Sequence, residues 1–346
     1  MSRRRRVIVF GGSAAVLTVV LVAALVVGLA REDDRATTPV DAVRTYLHAL
    51  ADADADAALG VIAPRPDTRF LTDNVLRAQR AAAQLTDIEV RPAADGEPES
   101  DVPEIDVPEA DGQESDVPVR YRMGTRVIDT EIRTTRVADG WAVVDGAVAV
   151  RIASLHVVQP TLFGAEVDEG DTVHLFPGPQ RWGSRDTDFT ARASDDDHPT
   201  APRGPMAVRV VGELSATGAG AVSDAVSAHL AVCAASTDAE AGRQVEGCTQ
   251  RLYRSAVDGS VRWTAPRNLS GLRYLLRDPD PGAPASQGTA GGPDPGVVDV
   301  VGPVRWRVSY TPDYDADGPR VETTDEQYLV GHVDLTENRP EFVTDG

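Results

Sequence analysis

Two cysteines, Cys233 and Cys248, are the only thiols in the chain. Two thiols fifteen positions apart in a chain exposed to an oxidising space read most simply as one disulfide. Closing a loop of that length contributes about 3 kcal/mol in the chain-entropy picture. A metal pair and a redox pair are the alternatives. Against them, no histidine is read at ligand spacing, and there is no Cys-x-x-Cys. Asp313, Asp315, Asp317 and Gly318 match the start of a calcium loop of the D-x-D-x-D-G type. Its twelfth position, which should be a bidentate Glu, is Thr324. Its seventh is Pro319, and the flanks read as strands. The three aspartates are therefore a weak calcium candidate, and an acidic hairpin tip is the simpler reading. The run Asp195, Asp196, Asp197 and His198 reads as a solvated turn. Asn268-Leu-Ser270 is a glycosylation sequon, meaningful only in a eukaryotic secretory pathway. No Gly-x-Ser-x-Gly, His-Glu-x-x-His, phosphate-binding loop or dinucleotide fingerprint occurs. The sequence assigns no catalytic residue and implies no cofactor.

The compartment follows from residues 7–30. Val7 to Ala30 is an unbroken run of 24 uncharged residues directly behind Arg3, Arg4, Arg5 and Arg6. At about 1.5 Å per residue, such a helix crosses the roughly 30 Å hydrocarbon core of a bilayer. The arginines hold residues 1–6 on the cytoplasmic side. The membrane is then a partner through 7–30, and the rest of the chain lies outside the cytoplasm as a single-pass envelope protein. A cleaved signal peptide is the competing reading, permitted by the small residues Gly28 and Ala30. The apolar run nevertheless exceeds the usual h-region.

All 34 basic residues are arginine. Five of them flank the apolar run, at positions 3 to 6 and 31, so residues 32–346 hold 54 acidic and 29 basic side chains, a formal charge of −25. That balance argues against nucleic acid and anionic head groups as partners, and suits a cationic one. The 315 residues after the apolar run suffice for two or three domains. With aromatics at 5%, the cores must be built mainly from Val, Leu, Ile and Ala.

Thr38-Pro39 with Asp41 opens a helix whose Val40, Val43, Leu47 and Leu50 share a face. A short helix over Asp56–Ile62 follows. A third runs from Thr72 to about Leu85, striped by Val75, Leu76, Gln79 and Ala83. Alternation at Ile88 and Val90, then over Val117–Met123 and Ile128–Thr134, predicts strands. Asp139-Gly140 turns into a return strand through Trp141 and Val143. Residues 93–117 form an acidic insert carrying repeated Asp-Val-Pro, read as a disordered loop. Gly164–Asp171 and the strands around it make a small β module. Ala221, Val222, Val226, Leu230 and Cys233 then mark one helix, followed by strands and a long hairpin through 297–335. Helices ahead of antiparallel strands predict an α+β protein. The domains read as 37–154, 155–213 and 214–346.

Pro39 to Leu59 resembles the first two helices of NTF2-like domains in exported bacterial proteins, and Asp139-Gly-Trp-Ala-Val-Val-Asp145 resembles the late hairpin of that fold. Gly220 to Cys248, with Cys-Ala-Ala-Ser-Thr ahead of Glu-Gly-Cys, is similar to the last domain of membrane-anchored envelope proteins of actinobacteria. The resemblance implies an NTF2-like cone over 37–154 whose mouth can hold a small ligand, with Tyr46, His48, Tyr121 and Trp141 as candidate pocket residues. The anchor, the oxidised cysteine pair and the absence of a catalytic constellation point to a non-enzymatic binding module of the cell envelope, met by an envelope protein or a small ligand. The alternative is a small-molecule enzyme or ligand sensor using the cone. If residues 7–30 anchor the chain, carbonate washing of membranes leaves it in the pellet and deletion of 7–30 releases it. A mature N-terminus near residue 31 would instead establish cleavage.

Overall fold

The computed structural model describes residues 36–92, 113–138, 140–194, 198–277 and 295–345. Residues 1–30 and the acidic insert up to 112 lie outside them. Among the described residues no helix is long and apolar enough to cross a membrane. The chain divides into two compact units that interleave in sequence. The first takes described residues up to Ala149 together with 173–179 and 198–205. The second takes 150–172, the described part of 180–197, and the chain from Met206 onward.

In the first unit, α1 (Pro39–Asp52) starts where the Thr38 hydroxyl accepts the Asp41 N–H at 3.1 Å. It ends at Ala53, whose φ of 57° is left-handed and whose N–H returns to the carbonyls of Ala49 and Leu50. Asp54 then caps α2 (Ala55–Gly60) by accepting the Ala57 N–H at 2.9 Å. The Ala-Asp-Ala-Asp run thus breaks one helix into two, because its aspartate caps better than it propagates. Thr72 caps α3 (Asp73–Ala82) in the same way. The sheet is antiparallel in the order β1 (Leu85–Val90), β2 (Glu114–Met123), β3 (Arg126–Val137), β4 (Gly140–Val143). Val117, Val119, Tyr121 and Met123 point inward from β2, all 3% exposed or less. Here the reading of 93–117 as loop is corrected at its end. Alternation carries the inward row back to Val117, which pairs with Ile132, so the strand begins at Glu114. Pro118 sits at the end of the β1 pairing, where its carbonyl still accepts the Arg91 N–H at 3.0 Å and only the return N–H is missing.

Two later segments complete this unit's core. Phe176 is fully buried among Tyr46, Tyr121, Met123 and Leu76. Gln79 Nε2 donates to its carbonyl at 2.9 Å, and Arg80 Nη2 donates to the Pro177 carbonyl at 2.7 Å. Gly178 N–H donates to Pro199 O at 2.7 Å, and the Tyr121 hydroxyl to Thr200 O.

In the second unit, β5 (Val148–His156) lies parallel to β11 (Met206–Leu214), with β10 (Phe189–Ala193) antiparallel on the other side of β11. A small sheet joins β6 (Pro160–Leu162) to β7 (Ala165–Glu166) and β9 (Trp182–Ser184). β8 (Thr172–Leu175) leads from this unit into the first. α4 (Ala216–Cys233) is capped by Ser215 and buries Val222, Val226, Leu230 and Cys233. The last sheet runs β12 (Arg262–Thr264), β14 (Val297–Tyr310), β15 (Val321–Asp334), β16 (Phe342–Thr344), with β13 (Arg273–Leu276) also on β14. Along β14 the even positions Val298, Val300, Val304, Trp306 and Val308 are buried, while Pro303, Arg305 and Arg307 are exposed. Trp306 meets Trp263 edge-on at 5.7 Å.

The α+β expectation, with its NTF2-like domain, is overturned, while the expected transmembrane helix over 7–30 falls outside the described residues. The described residues are 41% strand and 20% helix, in four helices and several curled sheets, so the fold is mostly β. Strands of two to four residues such as β6, β7 and β9 are too short to show period-two alternation, and escape a reading by pattern.

Gly178 has φ 152°, and a Cβ there would lie 2.6 Å from Arg80 Nη2 and 3.0 Å from Gln79 Nε2. Gly178→Ala should therefore destabilise the first unit by about 2–4 kcal/mol, combining backbone strain with overpacking. Thermal or urea unfolding of the variant measures it.

Candidate functional site

The outer face of the β14–β15 pair carries a groove of about 630 Å³. Its floor follows from strand alternation, which sends every second side chain to the same face. Pro303, Arg305 and Arg307 come up from β14, and Thr324 and Glu326 stand opposite Arg307 and Arg305 on β15. The wall is the segment 265–271, which contributes Arg267, Asn268 and Ser270. Asn268 Oδ1 accepts the Ser270 N–H at 2.9 Å, and the Leu272 N–H returns to Leu269 O at 2.9 Å. Two glycines let this wall reach the strand. A Cβ on Gly302, where φ is 147°, would stand 2.4 Å from Gly271 O, and one on Gly271 would stand 2.8 Å from Pro303 O.

Three arginines thus surround one concavity on a chain whose net charge is −20. Arg305 Nη2 pairs with Glu326 Oε2 at 2.9 Å, but both side chains are more than half exposed, and such a pair contributes at most about 1 kcal/mol. Arg267 and Arg307 make no ion pair among the described residues. The groove offers guanidinium forks, the side chains best matched to carboxylate or phosphate. Sequence reading missed it. The signal was Arg305 and Arg307 two apart on one strand face, but Arg267 reaches them only through the glycine contacts. The overall negative charge pointed the other way, towards a cationic partner.

The structure brings together two of the four candidate pocket residues. Tyr46 is fully buried, its hydroxyl donating to Gly146 O at 2.5 Å, and Tyr121 is 2% exposed. Burial pushes both phenols up from their usual value. Arg80 is 7% exposed, and its Nε and Nη1 have no partner among the described residues; burial lowers its guanidinium and the two tyrosines act in the opposite direction. Trp141 is half-buried on β4, held by its backbone N–H to Ala36 O at 2.9 Å. His48 is on the exposed face of α1, away from the core stripe. Asp313, Asp315 and Asp317 are exposed at the β14–β15 tip, where Gly318 N–H donates to Asp315 O at 3.0 Å. They are not among the side chains that converge within ligand distance of one another. Residues 195–197 lie outside the described residues, and His198 is half-buried.

Cys233 and Cys248 form a disulfide, with Cα atoms 5.6 Å apart. The expectation that no histidine stands at ligand spacing is corrected. His229 precedes Cys233 by one helical turn on α4, and its Nε2 is 3.4 Å from Cys233 Sγ. Among the described residues, His229, Cys233 and Cys248 are the one set of His, Cys, Asp or Glu side chains whose ligand atoms converge, all within 4.8 Å of one another. The imidazole meets Phe342 edge-on at 5.0 Å. Burial lowers its pKa, and a hydrogen bond to the Gly247 backbone partly offsets this.

Comparison with protein-family models, curated proteins and solved structures finds no match. The resemblances drawn from sequence motifs gain no support from it.

Replacing both cysteines by serine should destabilise the second unit by about 3 kcal/mol, the loop-closure contribution. Chemical unfolding of the Cys233→Ser/Cys248→Ser variant checks the value.

Proposed function

We propose that this chain is a single-pass, membrane-anchored extracytoplasmic protein that acts as a non-enzymatic binding module, and that its ligand is a small acidic molecule seated in the β14–β15 groove. The observation that carries the reading is the cluster of Arg267, Arg305 and Arg307 around a concavity of ligand size. A negatively charged protein has no need of such a cluster for solubility. Two of the three guanidiniums stand without a carboxylate partner among the described residues, so an incoming carboxylate or phosphate meets uncompensated positive charge. Anchoring rests on the apolar run 7–30 behind four arginines. Extracytoplasmic placement accords with the oxidised cysteine pair, since disulfides persist in oxidising compartments. The groove holds no nucleophile with an adjacent base, which is why binding is preferred to catalysis. The reading as an enzyme or sensor has less to stand on. Tyr46 and Tyr121 both spend their hydroxyl protons on backbone carbonyls, and His48 faces solvent.

Calorimetric titration of the detergent-solubilised chain with inorganic pyrophosphate and with tetraglutamate tests the proposal. Binding of either that weakens steeply with added salt, and at least tenfold in Arg267→Glu/Arg307→Glu, is expected. The arm that binds distinguishes phosphate from carboxylate recognition. Heat that is absent with both, or unchanged in the double variant, contradicts the proposal.

A further inference from the structure

We propose that His229, Cys233 and Cys248 form a redox-gated metal site, in which reduction of the disulfide frees two thiolates that, with the imidazole, bind a thiophilic divalent cation such as Zn²⁺. Disulfide and metal are then mutually exclusive states of one set of side chains. The geometry supports the metal-bound state. Zinc–sulfur and zinc–nitrogen bonds of about 2.3 and 2.0 Å at tetrahedral angles separate a sulfur from a nitrogen ligand by roughly 3.5 Å. His229 Nε2 and Cys233 Sγ already stand 3.4 Å apart, on one face of a single helix. Two thiolates on one zinc sit about 3.8 Å apart by the same arithmetic. Cα atoms 5.6 Å apart reach that by side-chain rotation, without moving the backbone.

The surroundings hold the third ligand in place when the covalent link is cut. Gln250 is buried and its Nε2 donates to Cys233 O at 2.8 Å, tying the segment after Cys248 to the end of α4. The Thr344 hydroxyl donates to Gly247 O at 3.0 Å. Gly242 packs so closely that a Cβ would lie 2.6 Å from Cys248 O. The imidazole is oriented by its edge-on contact with Phe342, as ring orientation by a second contact does in metal sites generally. A role in thiol exchange fits less well. Cys233 ends α4, where the helix dipole disfavours a thiolate, and both cysteines are 6% exposed or less. A bound dication supplies the positive charge that the helix end lacks.

The steps balance with a phosphine as reductant. The phosphine attacks one sulfur and the S–S bond breaks. Water then delivers its oxygen to phosphorus, giving the phosphine oxide, and its two protons to the sulfurs. Metal binding displaces both thiol protons, leaving water to complete the coordination.

The full chain in detergent micelles is reduced with a phosphine, freed of excess reagent under argon, and titrated with Co²⁺. One equivalent should produce thiolate-to-cobalt charge-transfer absorption and tetrahedral d–d bands, both lost on adding Zn²⁺. The unreduced chain and Cys233→Ser/Cys248→Ser should give neither. His229→Ala should weaken cobalt binding at least tenfold while far-UV circular dichroism is unchanged. Charge-transfer bands absent from the reduced chain, affinity unaltered in His229→Ala, or a reduced chain that has lost its fold overturns the proposal. Anion binding at the groove is measured separately and is unaffected by the outcome.

Discussion

Fourteen consecutive residue pairs lock β14 to β15, from Val297 opposite Asp334 to Tyr310 opposite Val321. The groove on the second unit's outer face depends on that register. Because side chains alternate, a slip of one residue would turn Trp306 and its valine neighbours to water and bury Arg305 and Arg307. Burial on the inner face fixes the register, and the register then fixes what the outer face displays. The arginines of the groove are therefore aligned by the apolar core behind them. Their own pairing, an exposed contact to Glu326, is too weak to do so.

The first unit solves a different problem. Its helices and four-stranded sheet are closed by residues far along the chain, with Phe176 filling the core and Pro177 and Thr200 accepting from Arg80 and Tyr121. The buried Arg80 guanidinium keeps one hydrogen bond, from Nη2 to the Pro177 carbonyl, while its Nε and Nη1 find no partner among the described residues. The closure also accounts for the glycine at 178, the position where a side chain would strike both Gln79 and Arg80.

Local signals in the sequence were legible where local chemistry decides. Thr38-Pro39 marked the start of α1, the alternation over Val117–Met123 marked β2, and the cysteine pair marked its own bond. Long-range signals were not. Nothing in residues 173–179 announces that they finish a core begun at residue 42, because a Phe-Pro-Gly turn looks the same whether it ends a hairpin or fills a neighbour. The fold class went wrong for a related reason. Three early helices are conspicuous, whereas strands of two to four residues leave no period to read. His229 was visible one turn before Cys233 once the helix was granted. The groove was hidden by the sign of the total charge, which says little about one concavity.

The outer face of β14 and β15 is the surface proposed to meet a ligand. Amide chemical shifts of the isotopically labelled chain, followed while pyrophosphate or tetraglutamate is added, test this most directly. Shifts concentrated at 264–271, 303–307 and 324–326, with the amides of α1 and β1–β4 unmoved, are the predicted result. Shifts centred elsewhere, or none at saturating ligand, would contradict it.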